Sequence, residues 1–430
     1  MRLRIFFLWL IMIIQVPCYA QNNKESTITE VQRLIDNGDN SGASEKLLGL
    51  LQSENPKIQA TALRLNGDLL IKSDQLDSAE KTLSKALKIS HDIYYQEELA
   101  QSLYLIGRIS AFKGKFDRAQ EVATKALYMA KKINNQRLEF SINNLLNWTY
   151  FMNEVDFNKV GQLEKRQAEL VSLLDIKSHR ALVFNNLGYN LTVSGLASLD
   201  SIINVSLIAN NDWAEREKNK GRWYSLMNLT WQHRLANQLE KSVEYGQLSF
   251  AQAIKDDDRH AVVEASFQLA ESLVASNRLG EAEGYYLTGL KWRGDENDRD
   301  GYVFDVYYSQ FLWQKGERKQ AINLLEKAIG FLETSEVFYE MHARMLLASY
   351  YFDEGRFENA QEQIEVIESP RHNYIAFETR CLAAITKAKL FRVNGRIAFA
   401  EGLLNSWLEE SQRFQSDLLT EIIQNELREI

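Results

Sequence analysis

Residues that favour a left-handed turn recur about every 40 positions along this 430-residue chain. The stretch GRISAFKGKFDRAQEVATKA places Gly114 between two segments that otherwise favour helix. Glycine inside a helix costs about 1 kcal/mol relative to alanine, so Gly114 fits better in a turn between two helices. Equivalent positions, nearly all Gly or Asn, are spaced 36 to 42 residues apart. They are Gly38, Asp74, Gly114, Asn153, Gly195, Asn237, Asn277, Gly316, Gly355 and Gly395.

Small residues stand at fixed distances from these turns, where two helices would touch. The alanines five positions after the turn are Ala43, Ala79, Ala119, Ala282, Ala321, Ala360 and Ala400. The small residues seven positions before it are Gly67, Gly107, Gly188, Ala270, Ala348 and Ala388. The pattern predicts an all-α fold, an α-solenoid (superhelix) of about ten antiparallel helix pairs over residues 21–430. We expect a capping helix at about 416–430.

Three middle units keep the period but lose the alanine after the turn. They have Asn158, Asp200 and Ser242 at that position. A specialised binding region and simple drift of the repeat both remain open as explanations.

The first 20 residues form a separate segment. Arg2 and Arg4 precede an apolar run, and small residues lead to Ala20, a pattern typical of a signal peptide cleaved after Ala20. Cleavage would change the net charge from −8 to −10, because it removes two arginines and no acids. We therefore expect an exported protein, periplasmic or extracellular, with no nucleic-acid partner and no stable membrane span after cleavage.

Motifs that carry catalysis are missing from the sequence. It has no His-Glu-x-x-His, no Gly-x-Ser-x-Gly and no pair of cysteines that could bind a metal. The six histidines are scattered without ligand spacing, and Cys381 lies in an alanine-rich helical segment typical of a buried, inert thiol. The sequence predicts no enzyme activity, no metal and no cofactor.

The repeat resembles the tetratricopeptide family. The phrases GKFDRA, KGERKQA and GRFENA carry the resemblance, although the unit is about six residues longer than the usual 34. INNLL (Ile142 to Leu146) and FNNLG (Phe184 to Gly188) are similar to the first-helix signature of long-repeat members such as kinesin light chains and bacterial regulators with helical sensor arrays.

The resemblance implies that first helices line a concave peptide-binding groove. Groove-facing positions lie ten, nine, six and thirteen residues before the turn residue, and we map them onto units three to six. The predicted groove residues are Tyr104, Arg108, Asn143, Asn144, Asn147, Asn185, Asn186, Tyr189, Tyr224, Met227, Asn228 and Trp231.

The same mapping argues against a clamp for a free carboxylate. Family members with that clamp use two asparagines and three basic residues. Asn147 and Asn186 match the asparagines, but Asn143, Tyr224 and Asn228 occupy the basic positions.

Asn144, Asn186 and Asn228 share one register in consecutive first helices. Their amides have two possible roles: to hold an extended peptide, or to bond between adjacent helices and support the stack. The sequence thus predicts an exported, non-catalytic protein- or peptide-binding module. The alternatives are an extracytoplasmic sensor array whose output domain lies on another chain and, below it, an enzyme with an unrecognised site.

Overall fold

The computed structural model describes residues 24, 26–35, 39–73, 75–152, 157–215, 221–293, 299–333, 337–369 and 375–430. All regular structure in these ranges is α-helical, and no strand occurs in them. Consecutive helices pack against each other in adjacent pairs. The chain divides into two compact units, Met1–Glu154 and Val155–Ile430.

The first unit contains seven helices in its described residues. The first of them, α1, covers residues 26–35. The others are α2 (Asn40–Leu51), α3 (Pro56–Lys72), α4 (Leu76–Asp92), α5 (Gln96–Phe112), α6 (Phe116–Lys132) and α7 (Gln136–Met152).

The second unit contains fourteen helices in its described residues. They are α8 (Phe157–Leu173), α9 (Lys177–Ser194), α10 (Leu199–Ala214), α11 (Arg222–Leu235), α12 (Leu239–Asp256), α13 (Arg259–Ala275), α14 (Leu279–Trp292), α15 (Arg299–Gln314), α16 (Arg318–Leu332), α17 (Val337–Asp353), α18 (Phe357–Ile367), α19 (Phe377–Val393), α20 (Ile397–Phe414) and α21 (Asp417–Arg428). Helix α21 begins where the capping helix was expected, and the Ser416 hydroxyl caps it by accepting from the backbone N–H of Leu419.

The predicted turn residues end the first helix of each pair. Gly114 has φ +68°, its N–H donates to the carbonyl of Ala111, and the N–H of Lys115 donates to the carbonyl of Ser110. This is the Schellman arrangement, which requires a left-handed residue at the turn. Seven predicted turn residues have positive φ, which confirms them: Gly114, Gly195, Asn237, Asn277, Gly316, Gly355 and Gly395. The other three, Gly38, Asp74 and Asn153, lie outside the described residues.

A second set of left-handed residues joins one pair to the next. It includes Tyr94, Asn134, Asp175 and Asp257, with φ between 48° and 55°. The sequence analysis made no prediction for these turns. Tyr94 carries no preference for the left-handed conformation, whereas Asn134, Asp175 and Asp257 are of residue types that adopt it. The helix pairs therefore repeat with two turns per period rather than one.

The small residues lie at helix contacts, as predicted. Ala119 and Ala360 are fully buried, and so are the other five alanines of their set. At Gly67 an added Cβ would lie 2.6 Å from Cγ of Leu83, closer than real Cβ contacts come. The seven-alanine register therefore marks the packing face of the second helices.

At the drifted position of unit six, a buried serine takes the place of the alanine. The Ser242 hydroxyl lies 2.7 Å from the carbonyl oxygen of Thr230, to which it donates, and 2.7 Å from the hydroxyl of Ser272. A small polar side chain fits there because both neighbours supply hydrogen-bonding atoms. Asp200 is exposed, and the side chain of Asn158 lies outside the described residues.

No helix in the described ranges has the length and apolar character needed to cross a membrane. The expected signal peptide, residues 1–20, lies outside those ranges. Its cleavage and the export of the chain stay predictions.

The second unit also contains contacts between helices that are far apart in sequence. Arg380 on α19 donates to the carbonyl of Ser194 at the end of α9, 186 residues away, at 3.0 Å. The hydroxyl of Ser416, which precedes α21, donates to the carbonyl of Leu235 on α11 at 2.8 Å. A stack in which each repeat touches only its neighbours would have neither contact. The last helices of this unit thus close onto its early helices.

Candidate functional site

This closure forms a partly open cavity of about 140 Å³ in the second unit. Its walls come from the first helices of successive pairs (α9, α11, α13, α15, α17 and α19) and from α21. A cavity of about 150 Å³ accepts a molecule the size of benzene, so this one suits a single side chain or a small organic group.

Helical spacing places the polar lining residues on single faces. On α13, Glu264, Gln268 and Glu271 are four and then three positions apart, which brings all three side chains to the same side of the helix. On α11, Asn228 and Trp231 are three positions apart and both line the cavity.

A buried ion pair joins opposite walls of the cavity. Glu378 on α19 accepts from Nη1 of Arg234 at 3.1 Å and from the indole Nε1 of Trp231 at 2.8 Å, both on α11. Burial opposes ionisation of Glu378, but Arg234, His342 and the Trp231 hydrogen bond together outweigh it and lower the pKa of this carboxyl. The pair is therefore charged, and it links α11 to α19.

The two glutamates of α13 have neutral hydrogen-bond partners. Glu271 accepts from the Tyr286 hydroxyl at 2.6 Å and from the Gln310 amide at 3.0 Å. Glu264 accepts from the Tyr339 hydroxyl at 3.2 Å. Burial raises the pKa of both carboxyls, and nearby cations only partly offset that effect.

Four polar atoms at the cavity wall lack a hydrogen-bond partner in the described part of the chain: Asn228 Oδ1, Gln268 Oε1, Arg234 Nε and His342 Nε2. Burial lowers the pKa of His342 to about 4, so its ring is neutral at pH 7. Buried polar groups are nearly always hydrogen-bonded, so a ligand or water molecule that contacts these atoms would supply the missing partners.

Four of the predicted groove residues of the second unit line this cavity: Tyr189, Met227, Asn228 and Trp231. The ring of Tyr189 lies 6.2 Å from Trp231, 6.5 Å from Tyr224 and 6.3 Å from Phe338, measured between centroids. Tyr224 is half-buried just outside the lining, and burial raises its pKa to about 12.

The asparagines of this unit have mixed roles. Asn228 is buried and donates through Nδ2 to Oδ1 of Asn185 at 3.1 Å, which joins α11 to α9. That bond supports the interpretation in which the amide holds the stack together, although Oδ1 of the same side chain has no partner in the described part of the chain. Asn186 is half-buried and does not line the cavity.

The remaining predicted residues belong to the first unit. Arg108 pairs with Asp68 at 3.1 Å, and its guanidinium carbon lies 5.8 Å from the centre of the Tyr104 ring. Asn143 is buried with both amide atoms unpartnered within the described residues, Asn144 is exposed and Asn147 is half-buried.

Most of the cavity wall lies beyond unit six, where the predicted groove residues end. The same register continues in later units: Glu264, Gln268 and Glu271 lie thirteen, nine and six positions before Asn277, and Tyr307 and Gln310 lie nine and six before Gly316. Applying the groove positions to every unit would have found these residues.

Within the described residues, no cluster of three or more His, Cys, Asp or Glu side chains has metal-site geometry. Cys381 is fully buried, and burial raises its pKa to about 12, as expected for an inert thiol.

Comparison with protein families gives a match over residues 100–133 to the model described as tetratricopeptide repeat. This segment spans most of α5, the turn at Gly114 and α6. The chain contains a tetratricopeptide repeat. No curated protein matches it in sequence.

Solved structures of similar fold cover most of the chain. The apo form of the quorum sensor NprR from B. thuringiensis is 12% identical, with a TM-score of 0.60 over 81% of this chain and 98% of that one. NprR in complex with its cognate peptide NprX is 14% identical, with a TM-score of 0.50 over 80% of this chain and 97% of that one. At these identities the likeness shows a tetratricopeptide-like fold.

Proposed function

We propose that the chain is a non-catalytic peptide-binding protein whose second unit takes part of a peptide into the cavity. The observation that carries the proposal is the set of unpartnered polar atoms on the first-helix walls of the partly open cavity. A peptide offers both donors and acceptors, so its backbone and side chains match such a wall.

The comparison with NprR supports this role. NprR shares the fold, and one of its structures holds a cognate peptide. Tyr189 and Trp231 would supply apolar contact, while Asn228 and Gln268 would bond the ligand.

A peptide array tests the proposal directly. The purified chain is applied to an array of random hexapeptides, and binding is compared with that of Gln268→Trp, which fills the cavity. The matched control is Gln320→Trp, the same substitution at an exposed position of α16. We expect a subset of peptides to bind the native chain and the control but not the filled variant. The proposal fails if no peptide depends on the cavity in variants whose melting temperatures show that they are folded.

We also propose that the chain is exported and that the mature protein begins at Gln21. The basic start and apolar run of residues 1–20 support this. Mass spectrometry of the protein from a host that carries the full sequence tests it, because an intact Met1 in the cell extract would contradict cleavage after Ala20.

A sensing role is the second candidate, supported by the similar fold of NprR, a quorum sensor. It requires that ligand binding change the protein away from the cavity. Hydrogen exchange with and without an array-selected peptide tests this: protection confined to the cavity helices would argue for simple binding.

A further inference from the structure

The cavity wall carries more negative than positive side chains. Its charged residues are Glu264, Glu271, Glu378 and Arg234, and the neutral ring of His342 adds no charge. Arg234 is engaged by Glu378 at 3.1 Å. In the described part of the chain, neither carboxyl of α13 forms an ion pair with a wall residue, although the charge of Arg234 acts on Glu271 and partly offsets the burial that raises its pKa.

Of these two, only Glu264 has cations within ion-pair distance in the described residues. Arg299 Nη1 and His260 Nε2, which do not line the cavity, lie 3.6 and 3.9 Å from Oε1 of Glu264. The two hydrogen bonds of Glu271 come instead from a neutral hydroxyl and a neutral amide.

Two of the four unpartnered wall atoms are amide oxygens, which can only accept. Gln268 lies between Glu264 and Glu271 on α13, and its Oε1 has no donor in the described part of the chain. Oδ1 of Asn228, a side chain only 1% exposed, has none either. An ammonium or guanidinium group has only donors, so it would satisfy both oxygens.

Aromatic faces complete the wall. Tyr189, Trp231 and Phe338 line the cavity, with the Tyr189 ring 6.2 and 6.3 Å from the other two. Aromatic rings attract cations that approach their faces, more strongly when water is excluded.

We propose that the cavity binds an organic cation, the ammonium or guanidinium head of a basic group. This inference rests on the peptide-binding function proposed above. It adds that the part of the peptide bound in the cavity is a lysine or arginine side chain. The cation lies against Glu271 and donates to Gln268 and Asn228. Arg234 Nε, the unpartnered donor, serves a carbonyl oxygen of the ligand backbone.

Small molecules that each carry one side chain test whether the cavity prefers a positive charge, without the rest of a peptide. Nα-acetyl-lysine methylamide, its norleucine and glutamate counterparts and cadaverine are titrated into the full chain, with binding followed by ligand-observed NMR. We expect the lysine probe to bind roughly tenfold or more tighter than the norleucine probe, because hydrogen bonds to charged groups are the stronger class.

Two variants and a control locate the site. Glu271→Gln keeps the shape of the side chain, and Gln268→Leu removes the central acceptor; each is expected to weaken the lysine probe roughly tenfold. Glu358→Gln, an exposed position on α18, is expected to leave binding unchanged. Melting temperatures establish that each variant is folded.

The outcomes separate this inference from the proposed function. Equal binding of lysine and norleucine probes, a preference for glutamate, or no effect of Glu271→Gln would overturn the cation site. Cavity-dependent array peptides that lack lysine and arginine would also overturn it while the peptide-binding function stands. Glu271-dependent binding of cadaverine without the lysine probe would support the cation site and identify a free amine as its ligand.

Discussion

The two units are built from the same helix pair but differ in the reach of their contacts. In the first unit, Arg108 pairs with Asp68, 40 residues earlier, and Asn135 bonds Glu97, 38 residues earlier. In the second unit, Trp231 and Arg234 bond Glu378, 147 and 144 residues away. The first unit therefore shows contacts one repeat apart, while the second adds contacts that close it around a cavity.

The comparison shows what a repeat needs in order to form a cavity. Stacked repeats create a face but leave it open, because each unit contacts its neighbours. In the second unit, the early and late helices are joined by polar contacts and by a buried apolar cluster that includes Leu199, Leu235, Phe377 and Leu419. Stability and ligand binding should consequently be linked in the second unit more than in the first.

The largest effect is expected from breaking the closing ion pair. Glu378→Ala leaves Arg234 buried and unpaired and removes the acceptor of Trp231, which should lower the free energy of unfolding of the second unit by about 3–5 kcal/mol. Asp68→Ala in the first unit breaks a more exposed pair and should cost at most about 1 kcal/mol. Hydrogen exchange resolved by helix measures both. Equal losses in the two units would contradict the distinction between them.

The next largest expected difference is in the loss of stability when alanine replaces each of two turn glycines. Gly114 has open space around its Cα, whereas an added Cβ at Gly195 would collide with the ring of Phe377 on α19. Both have φ near +70°, so alanine at either should cost about 1–2 kcal/mol in backbone strain. Gly195→Ala should cost about 1–3 kcal/mol more from overpacking. Chemical denaturation of the two variants measures the difference, and equal midpoints would show that the α9–α19 contact contributes nothing.

Overpacking at the alanine register should affect both units alike. Ala119→Leu and Ala360→Leu, at fully buried positions, are each expected to destabilise their unit by roughly 1–3 kcal/mol. Ala251→Leu, at an exposed position of α12, serves as control and should stay within about 0.5 kcal/mol. A neutral result at Ala119 with a large one at Ala360 would mean that only the closed unit is tightly packed.

The smallest effect is a pH dependence in the second unit. The His260 ring lies 3.0 Å from Asp300, and that hydrogen bond raises the pKa of His260 while it lowers the pKa of Asp300. The contribution of His260 is complete below its unfolded pKa of about 6.5 and is lost as pH rises through its higher folded value. Because the ring is partly exposed, we expect less than about 1 kcal/mol.

Unfolding measured between pH 5 and 9 checks this effect against His260→Gln. The native second unit should lose stability at the upper end, and the variant should lose less. Matching pH profiles would show that the His260–Asp300 pair does not contribute.

Local chemistry alone determined the repeating part of the fold. A left-handed turn selects glycine or asparagine at Gly114 and Asn277, and close helix contact selects alanine at Ala119 and Ala360. Each preference acts within a few residues, so the period could be read from the chain. The turn at Tyr94 could not be read in this way, because tyrosine carries no such preference.

The site depended on the tertiary structure. In the sequence, Asn228 is one amide in a repeated register, and nothing local shows that it bonds Asn185 and lines a cavity. Nor does the sequence pair Arg234 with Glu378, 144 residues on, because closure arises from small rotations accumulated over many pairs. The sequence by itself determined the helix pairs and their register; the tertiary structure decided which faces meet, because that depends on distances between residues with no local relation.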